Sequence, residues 1–233
     1  MLTSFFSHSA TSSLSSSFPI RRTGAMIRDR RGRSGSARLR FQRGFSLIEI
    51  SIVGAIILLL SMVAVPMIGN YITENKVPKV GDELLRFMVR MRVGASGITD
   101  LPYAGVNNSV LVNALKDTGV VRVSGEGATG VVKHGLGGSG AKTSGTVTIA
   151  PASLGSAGNG SAFQLSLNDV SHAACPGLVS ILQQAASVIT VASGKTSGEV
   201  KNATASPPVI YNPLRAEALC QAGDVNSFVF VVQ

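Results

Sequence analysis

The sequence has few of the residues from which reactive sites are built. It contains three histidines, two cysteines and no tryptophan in 233 residues, and only 14% of the residues are charged. One histidine, His8, falls in a Ser-rich N-terminal stretch, so a histidine metal site is disfavoured. The acids are scattered and form no pair suited to acid/base catalysis. We therefore expect no metal, no cofactor and no enzymatic activity.

One glycine-rich stretch is close to a phosphate-binding loop but departs from it. Residues 135–145 read GLGGSGAKTSG, and Gly135 and Gly140 have the spacing of a P-loop. In a P-loop the lysine follows the second glycine directly, whereas Ala141 here separates Gly140 from Lys142. No helix pattern follows. A flexible hairpin loop is the favoured interpretation.

The basic charge is concentrated at the N-terminus. The formal net charge is +9, and residues 1–44 hold nine arginines against one acid, Asp29. The remaining residues are almost neutral, so the high pI gives no reason to expect specific nucleic-acid binding by the whole chain. Residues 1–20 are Ser-rich and show no helix or strand period. Either Met1 or Met26 could be the start of translation.

A long apolar run follows the arginines. Residues 50–68 carry no charge, and at 1.5 Å per residue they span about 28 Å, close to the ~30 Å hydrocarbon core of a bilayer. A membrane span over about residues 45–70 is predicted, with the Arg-rich side in the cytoplasm. A cleaved signal peptide fits poorly, because its apolar part is about 7–15 residues and its small-residue cut site follows that part. Here Gly44 precedes the run.

The apolar run continues into amphipathic helical sequence. Pro66 is expected to kink the helix, and Pro78 marks a second bend or a restart. Leu84, Met88 and Met91 then form an apolar stripe at helical spacing. We expect an interrupted helix over residues 45–95 whose second half packs on the downstream domain.

Residues 96–233 predict an α+β head with an antiparallel sheet. Helices are predicted at 109–119, capped by Asn108 or Ser109, and at 174–187. Six β-rich runs lie between Gly, Ser, Pro or Asn residues. They are residues 119–125, 130–135, 144–151, 161–170, 187–194 and 226–233.

The two cysteines favour one disulfide. Cys175 and Cys220 are an even pair in a chain whose membrane segment indicates export, and the bridge would close a loop of about 45 residues. Two unpaired buried thiols are the alternative. A nucleophilic pair of His172 and Cys175 is disfavoured because no third group is evident that would orient the histidine.

The segment Gly44-Phe45-Ser46-Leu47-Ile48-Glu49 resembles the class III signal of type IV prepilins. That signal is a basic leader ending in Gly, followed by an apolar residue, with Glu as the fifth residue of the mature chain. Counted from Phe45, Glu49 is the fifth residue and Pro66 the twenty-second, where many type IVa pilins also have proline. An apolar helix follows the Glu, as in the family.

The rest of the chain is similar to type IVb major pilins of the PilS kind. The stretches HAACPGL and ALCQAGDVNSFVF carry this similarity. Phe45 as the first mature residue and the proline at position 66 are instead more similar to type IVa pilins. A start at Met26 would leave a leader of 19 residues, a normal length for type IVb.

The resemblance implies roles for particular residues of the chain. A prepilin peptidase of the inner membrane would cut after Gly44, removing residues 1–44, and would N-methylate Phe45. Glu49 would pair with the N-terminal amine of a neighbouring subunit, and Cys175 and Cys220 would form the disulfide of the C-terminal region. Before assembly the subunit would lie in the inner membrane, with its head in the periplasm. The assembly machinery would then polymerise it with copies of itself into an extracellular pilus for adhesion, motility, DNA uptake or mating.

Three alternatives remain open. The chain could be a pseudopilin of type II secretion or a minor pilin, which would share the signal but not the abundance of a major subunit. It could be a membrane-anchored periplasmic enzyme, which would keep its N-terminus. It could bind DNA through its Arg-rich leader, which requires that residues 1–44 remain in the mature protein.

Overall fold

The computed structural model describes residues 44–95, 97, 100–141 and 143–233. The proposed leader, apart from Gly44, lies outside these residues. Residues 47–233 form one compact unit.

The first helix, α1 (Leu47–Ala95), is 49 residues long and extends for about 74 Å at 1.5 Å per residue. It continues through Pro66 and Pro78, so the expected interruption is absent and that prediction is wrong. A proline removes one backbone hydrogen bond, and the turns on either side can carry the helix past it. The side chain of Pro66 is outside the described atoms, and a kink there stays a prediction.

The second half of α1 packs on the head. Val77, Val80, Leu84, Phe87 and Met88 are buried at spacings of three and four residues, which place them on one helix face. The predicted stripe is correct for Leu84 and Met88, and Met91 is partly buried against the core.

The main partner of α1 is α3 (Cys175–Leu182). A Cβ atom added to Gly81 on α1 would lie 2.8 Å from Ile181 Cδ1, and one added to Gly177 on α3 would lie 3.1 Å from Val77 Cγ1. Glycine on each helix therefore permits a close approach that a larger residue would disturb.

Seven strands form one sheet in the order β1-β2-β3-β4-β7-β5-β6, with every neighbouring pair antiparallel. This confirms the predicted α+β class with an antiparallel sheet. The strands are β1 (Arg122–Ser124), β2 (Val131–Lys133), β3 (Thr146–Ala152), β4 (Ala162–Val170), β5 (Val188–Ser193), β6 (Thr196–Asn202) and β7 (Asn226–Val232).

The last strand in the chain lies inside the sheet. β7 pairs with β4 on one side and with β5 on the other. Asn226, Phe228, Phe230 and Val232 alternate inward and are fully buried. The buried face of the sheet joins α2, α3 and the second half of α1 in one hydrophobic core.

The helix α2 (Asn108–Leu115) is capped by Asn107, whose Oδ1 accepts from the Ser109 N–H at 2.9 Å. The predicted caps, Asn108 and Ser109, lie one and two residues after the observed cap. Asn108 instead bonds to two other segments, since its Nδ2 donates to the Gly130 carbonyl at 3.0 Å and its Oδ1 accepts from the Ile149 N–H at 3.1 Å. The side chain thereby ties α2 to the sheet.

One strand and one α-helix of the head were not predicted. The strand β6 reads TSGEVKN and has one fully buried residue, Val200, so it carries little apolar alternation. The short helix α4 (Pro213–Leu219) begins after Asn212, whose Oδ1 accepts from the Leu214 and Arg215 N–H groups. The helix α3 is shorter than the predicted 174–187 and follows a 3₁₀ turn, His172–Ala174.

One histidine is buried as a neutral ring. His134 Nδ1 accepts from the Leu136 N–H at 3.0 Å, so Nε2 carries the proton and donates to the Asn168 carbonyl at 2.9 Å. Burial lowers the pKa of His134. The Asn168 carbonyl and the nearby Asp169 and Asp224 carboxylates act in the opposite direction but do not cancel this effect.

The lowered pKa predicts acid-sensitive stability. The unfolded chain takes up a proton at His134 near the usual value of about 6.5, while the folded chain resists it. The stabilising contribution is therefore complete above about pH 6.5 and is lost as the pH falls through the folded-state pKa. Denaturant midpoints measured from neutral to mildly acidic pH should fall in the unmodified chain.

Two matched variants, His134→Asn and His172→Asn, test whether His134 causes this pH dependence. Asparagine at 134 can still accept from the Leu136 N–H but cannot be protonated, so this part of the pH dependence should disappear. His172 is exposed, and its replacement should leave the dependence intact. An unchanged pH profile in His134→Asn would contradict the assignment.

Candidate functional site: the exposed half of the first helix

The segment singled out by sequence begins in an open position. Gly44 is exposed and precedes α1, and a Cβ atom built on it would meet no other atom within 4 Å. Phe45 is 76% exposed. The bond between these two residues is therefore not shielded by any described part of the chain.

Glu49 lies in the first turn of α1 and is exposed. An acid in the first turn interacts favourably with the helix dipole. Within the described residues, no hydrogen bond or ion pair engages its carboxylate. The chain places this charge in an apolar row without giving it a cationic partner there.

The first half of α1 is apolar and uncovered. Among the described residues, α1 is the one helix long and apolar enough to cross a membrane; its most apolar 18-residue window has a mean hydropathy of 2.6 and none of that window is buried. Exposed large apolar side chains continue from Phe45 to Ile72, which is still 47% exposed. Such a surface needs a cover of lipid or protein.

The serine and threonine hydroxyl groups of α1 are satisfied by their own helix. Ser51 Oγ donates to the Leu47 carbonyl at 2.8 Å, and Ser61 Oγ donates to the Leu58 carbonyl at 2.9 Å. Thr73 Oγ1 donates in the same way to the Gly69 carbonyl. These donors are therefore paired before the helix meets any partner, which suits an apolar environment.

The C-terminal part of the head is closed by a disulfide. Cys175, the first residue of α3, is bonded to Cys220, which follows α4, and the two Cα atoms are 6.1 Å apart. Neither cysteine is free. The bond excludes a thiolate at Cys175, so His172 and Cys175 cannot form a nucleophilic pair while it is intact.

The sequence analysis missed the residue that anchors the loop after the disulfide. Asn226 is buried; its Oδ1 accepts from the Gln221 N–H and from Ser193 Oγ, each at 2.8 Å. Its Nδ2 donates to the carbonyls of Gln221 and Val170. The signal was present, since Asn226 occupies the inward register of Phe228 and Phe230, where a polar side chain requires partners.

The described residues contain no group of three or more His, Cys, Asp or Glu side chains that could hold a metal ion. The exposed apolar half of α1 and the Glu49 carboxylate near its start favour association with other molecules.

Removing the disulfide should destabilise the head. Its cysteines are 45 residues apart, and the chain-entropy model assigns a loop of this length about 4 kcal/mol. We expect Cys175→Ala/Cys220→Ala to lower the free energy of unfolding by about that amount in denaturant titrations. A reducing agent should shift the unmodified chain similarly and leave the double variant unchanged. A difference below about 1 kcal/mol would contradict this account.

Comparison with known proteins gives a family match in the head. Residues 141–233 match the family model described as PilS N terminal. This range contains both cysteines and the strands from β3 to β7. No curated protein matches the chain.

Two solved pilins overlap with the structure loosely. The type IVb pilin from Salmonella typhi has 17% identity and a TM-score of 0.39, covering 68% of this chain and 93% of that chain. TcpA, a type IV pilin from the Vibrio cholerae El Tor biotype, has 16% identity and a TM-score of 0.43, covering 69% of this chain and 99% of that chain. At such TM-scores neither overlap transfers structural detail to this chain. The disulfide-bonded part of the head is therefore similar to the PilS family, and the long apolar helix α1 precedes the matched residues.

Proposed function

We propose that this chain is the major structural subunit of a type IVb pilus. It is made as a prepilin, cut by a prepilin peptidase between Gly44 and Phe45, methylated at the new amine of Phe45, and polymerised into an extracellular filament. The observation that carries the proposal is the exposed apolar half of α1, which holds one carboxylate, Glu49, near its start.

The size of the exposed apolar surface explains why the helix needs a partner. Burial of one Val, Leu, Ile or Phe side chain contributes about 1.5–3 kcal/mol, and the uncovered row runs from Phe45 to Ile72. Leaving it in water would cost on the order of tens of kcal/mol. A bilayer covers it before assembly, and the same helix of neighbouring subunits covers it in the filament. The transfer exchanges one apolar environment for another.

Glu49 makes the transfer of the helix from the bilayer into the filament favourable. An acid at the centre of a membrane helix costs about 2.5–3.5 kcal/mol on insertion scales, and Glu49 lies near the helix start, where the interface reduces this cost. Among packed helices the carboxylate would be buried, and a buried charge requires an opposite charge beside it. Removal of residues 1–44 creates that charge, the amine of Phe45, on every subunit.

The same helix fits a pseudopilin or a minor pilin, which also enter a filament after processing. These differ from a major subunit in abundance, so the amount recovered from sheared filaments separates them. A membrane-anchored periplasmic enzyme would retain its N-terminus, and a DNA-binding protein would retain its arginines. The mass of the N-terminal peptide tests these two alternatives together, because both predict a chain that keeps its N-terminal residues.

Processing is tested at Gly44. In the isolated chain a side chain at this position meets nothing, so Gly44→Ser should leave the fold intact and act on recognition by the peptidase. We expect the unmodified protein sheared from cells to begin with N-methylated Phe45, and Gly44→Ser to remain full-length in the membrane. The matched control is Gly69→Ser, which is equally open and should be processed normally.

Mass spectrometry of the N-terminal peptide provides the measurement. A sheared protein that begins near Leu2 or Ile27 would contradict cleavage after Gly44. Normal processing of Gly44→Ser would show that the peptidase does not read this residue.

Assembly is tested at Glu49. Glu49→Val and Glu49→Gln should be cleaved and inserted normally but should give at least tenfold fewer sheared filaments, because breaking a buried ion pair costs about 3–5 kcal/mol. Quantitative immunoblots of the sheared and membrane fractions measure the ratio. Glu74→Gln, at an exposed acid of α1 beyond the apolar row, is the matched control. Normal filaments from Glu49→Val would show that no essential ion pair forms there.

A further inference from the structure

A basic cleft lies where α1 enters the head. It has a volume of about 810 Å³ and is bounded by Lys76, Lys79 and Val80 of α1, by residues 118–122, and by the Gly-rich stretch that begins at Lys133. Because Val77 is the first buried residue of α1 among those whose burial is described, the cleft is at the end of the head nearest to the exposed apolar half. It lies outside the segment that contains Glu49.

Four cations and no carboxylate are among the described residues that line the cleft. The cations are Lys76, Lys79, Arg122 and Lys133. Asp224 contacts the lining, since its Oδ2 accepts from the Gly138 N–H at 2.8 Å. Glu74 is on the same helix as Lys76 but about 200° away around its axis, at 3.6 residues per turn. The lining therefore favours an anionic occupant.

The strand register places two of these cations against each other. Arg122 of β1 and Lys133 of β2 are directly opposite in the antiparallel pair, and like charges at such positions are destabilising. Lys133 Nζ donates to the Gly140 carbonyl, which orients the ammonium group but leaves its charge uncompensated. An anion in the cleft would relieve this repulsion.

The distance along α1 from the apolar half to the cleft indicates which anion the cleft would bind. Ile72 ends the row of large exposed apolar residues, and Lys76 and Lys79 follow about 6 Å and 10 Å further along the axis at 1.5 Å per residue. The headgroup layer on each side of a ~30 Å hydrocarbon core is about 5–8 Å thick. With Ile72 at the edge of the hydrocarbon core, Lys76 lies at the level of the lipid phosphates and Lys79 just beyond it.

From the lining, the like-charge register and this placement, we infer that the cleft docks the unassembled head onto anionic phospholipid headgroups. The lipids are those of the bilayer that holds α1, so the inference rests on the proposed membrane anchoring of residues 45–70. Docking restrains the head against the membrane surface until assembly withdraws the helix. Lipid is favoured over an acidic protein because the apolar segment itself brings the cleft to the headgroups.

Lysine acylation in lipid nanodiscs tests the inference. The full chain is embedded in discs of phosphatidylcholine alone or of phosphatidylcholine mixed with phosphatidylglycerol, and the acylation rate of each lysine is followed by mass spectrometry. We expect Lys76, Lys79 and Lys133 to react about fivefold more slowly in the anionic discs, because each is attracted to the anionic surface. Lys195, which is exposed outside the cleft, should react equally in both. High salt should remove the difference by screening.

Two variants of equal net charge separate the cleft from the overall charge. Lys79→Gln/Arg122→Gln should remove the protection of Lys76 and Lys133. Lys116→Gln/Lys195→Gln removes two cations outside the cleft and should leave that protection in place.

Two results would overturn the inference. They are equal acylation in the two kinds of disc, and protection in detergent that grows with protein concentration. The last would assign the cleft to contact with a second copy. A chain that carbonate extracts from the discs would overturn the membrane anchoring and the inference together, whereas an embedded chain with equal acylation would overturn the inference alone.

Discussion

The structure depends on one helix that must satisfy two environments. Up to Ile72 its large apolar side chains are exposed, and from Val77 onward one face is buried in the head. The change takes place within about one and a half turns and without a break in α1. Because the helix is continuous, the position of the head is set relative to whatever covers the apolar half.

The head is built to hold the second half of α1 firmly. Gly81 and Gly177 let α1 and α3 approach closely, and the Cys175–Cys220 bond ties the start of α3 to the end of α4. Asn226 secures the loop that follows. Contacts distant in sequence thus converge on α3, the helix that α1 packs against.

Much of the head could be predicted because its strands have local signals. The six predicted β-rich runs all contain strands, since apolar alternation and bounding glycines act over a few residues. The strand β6 was not predicted because it lies at the edge of the sheet beside β5 and buries few apolar side chains. The expected interruption of the helix was wrong because the turns on either side of each proline continue α1 past it.

The sequence by itself determined the features that depend on order along the chain. These are the segment from Gly44 to Glu49, the length of the apolar run, and the cysteine pair. Only the tertiary structure decided that β7 lies between β4 and β5, and that Arg122 and Lys133 share a cleft with Lys76 and Lys79. Pairing between distant segments depends on the shape and burial of the whole core, and no local pattern of residues encodes it.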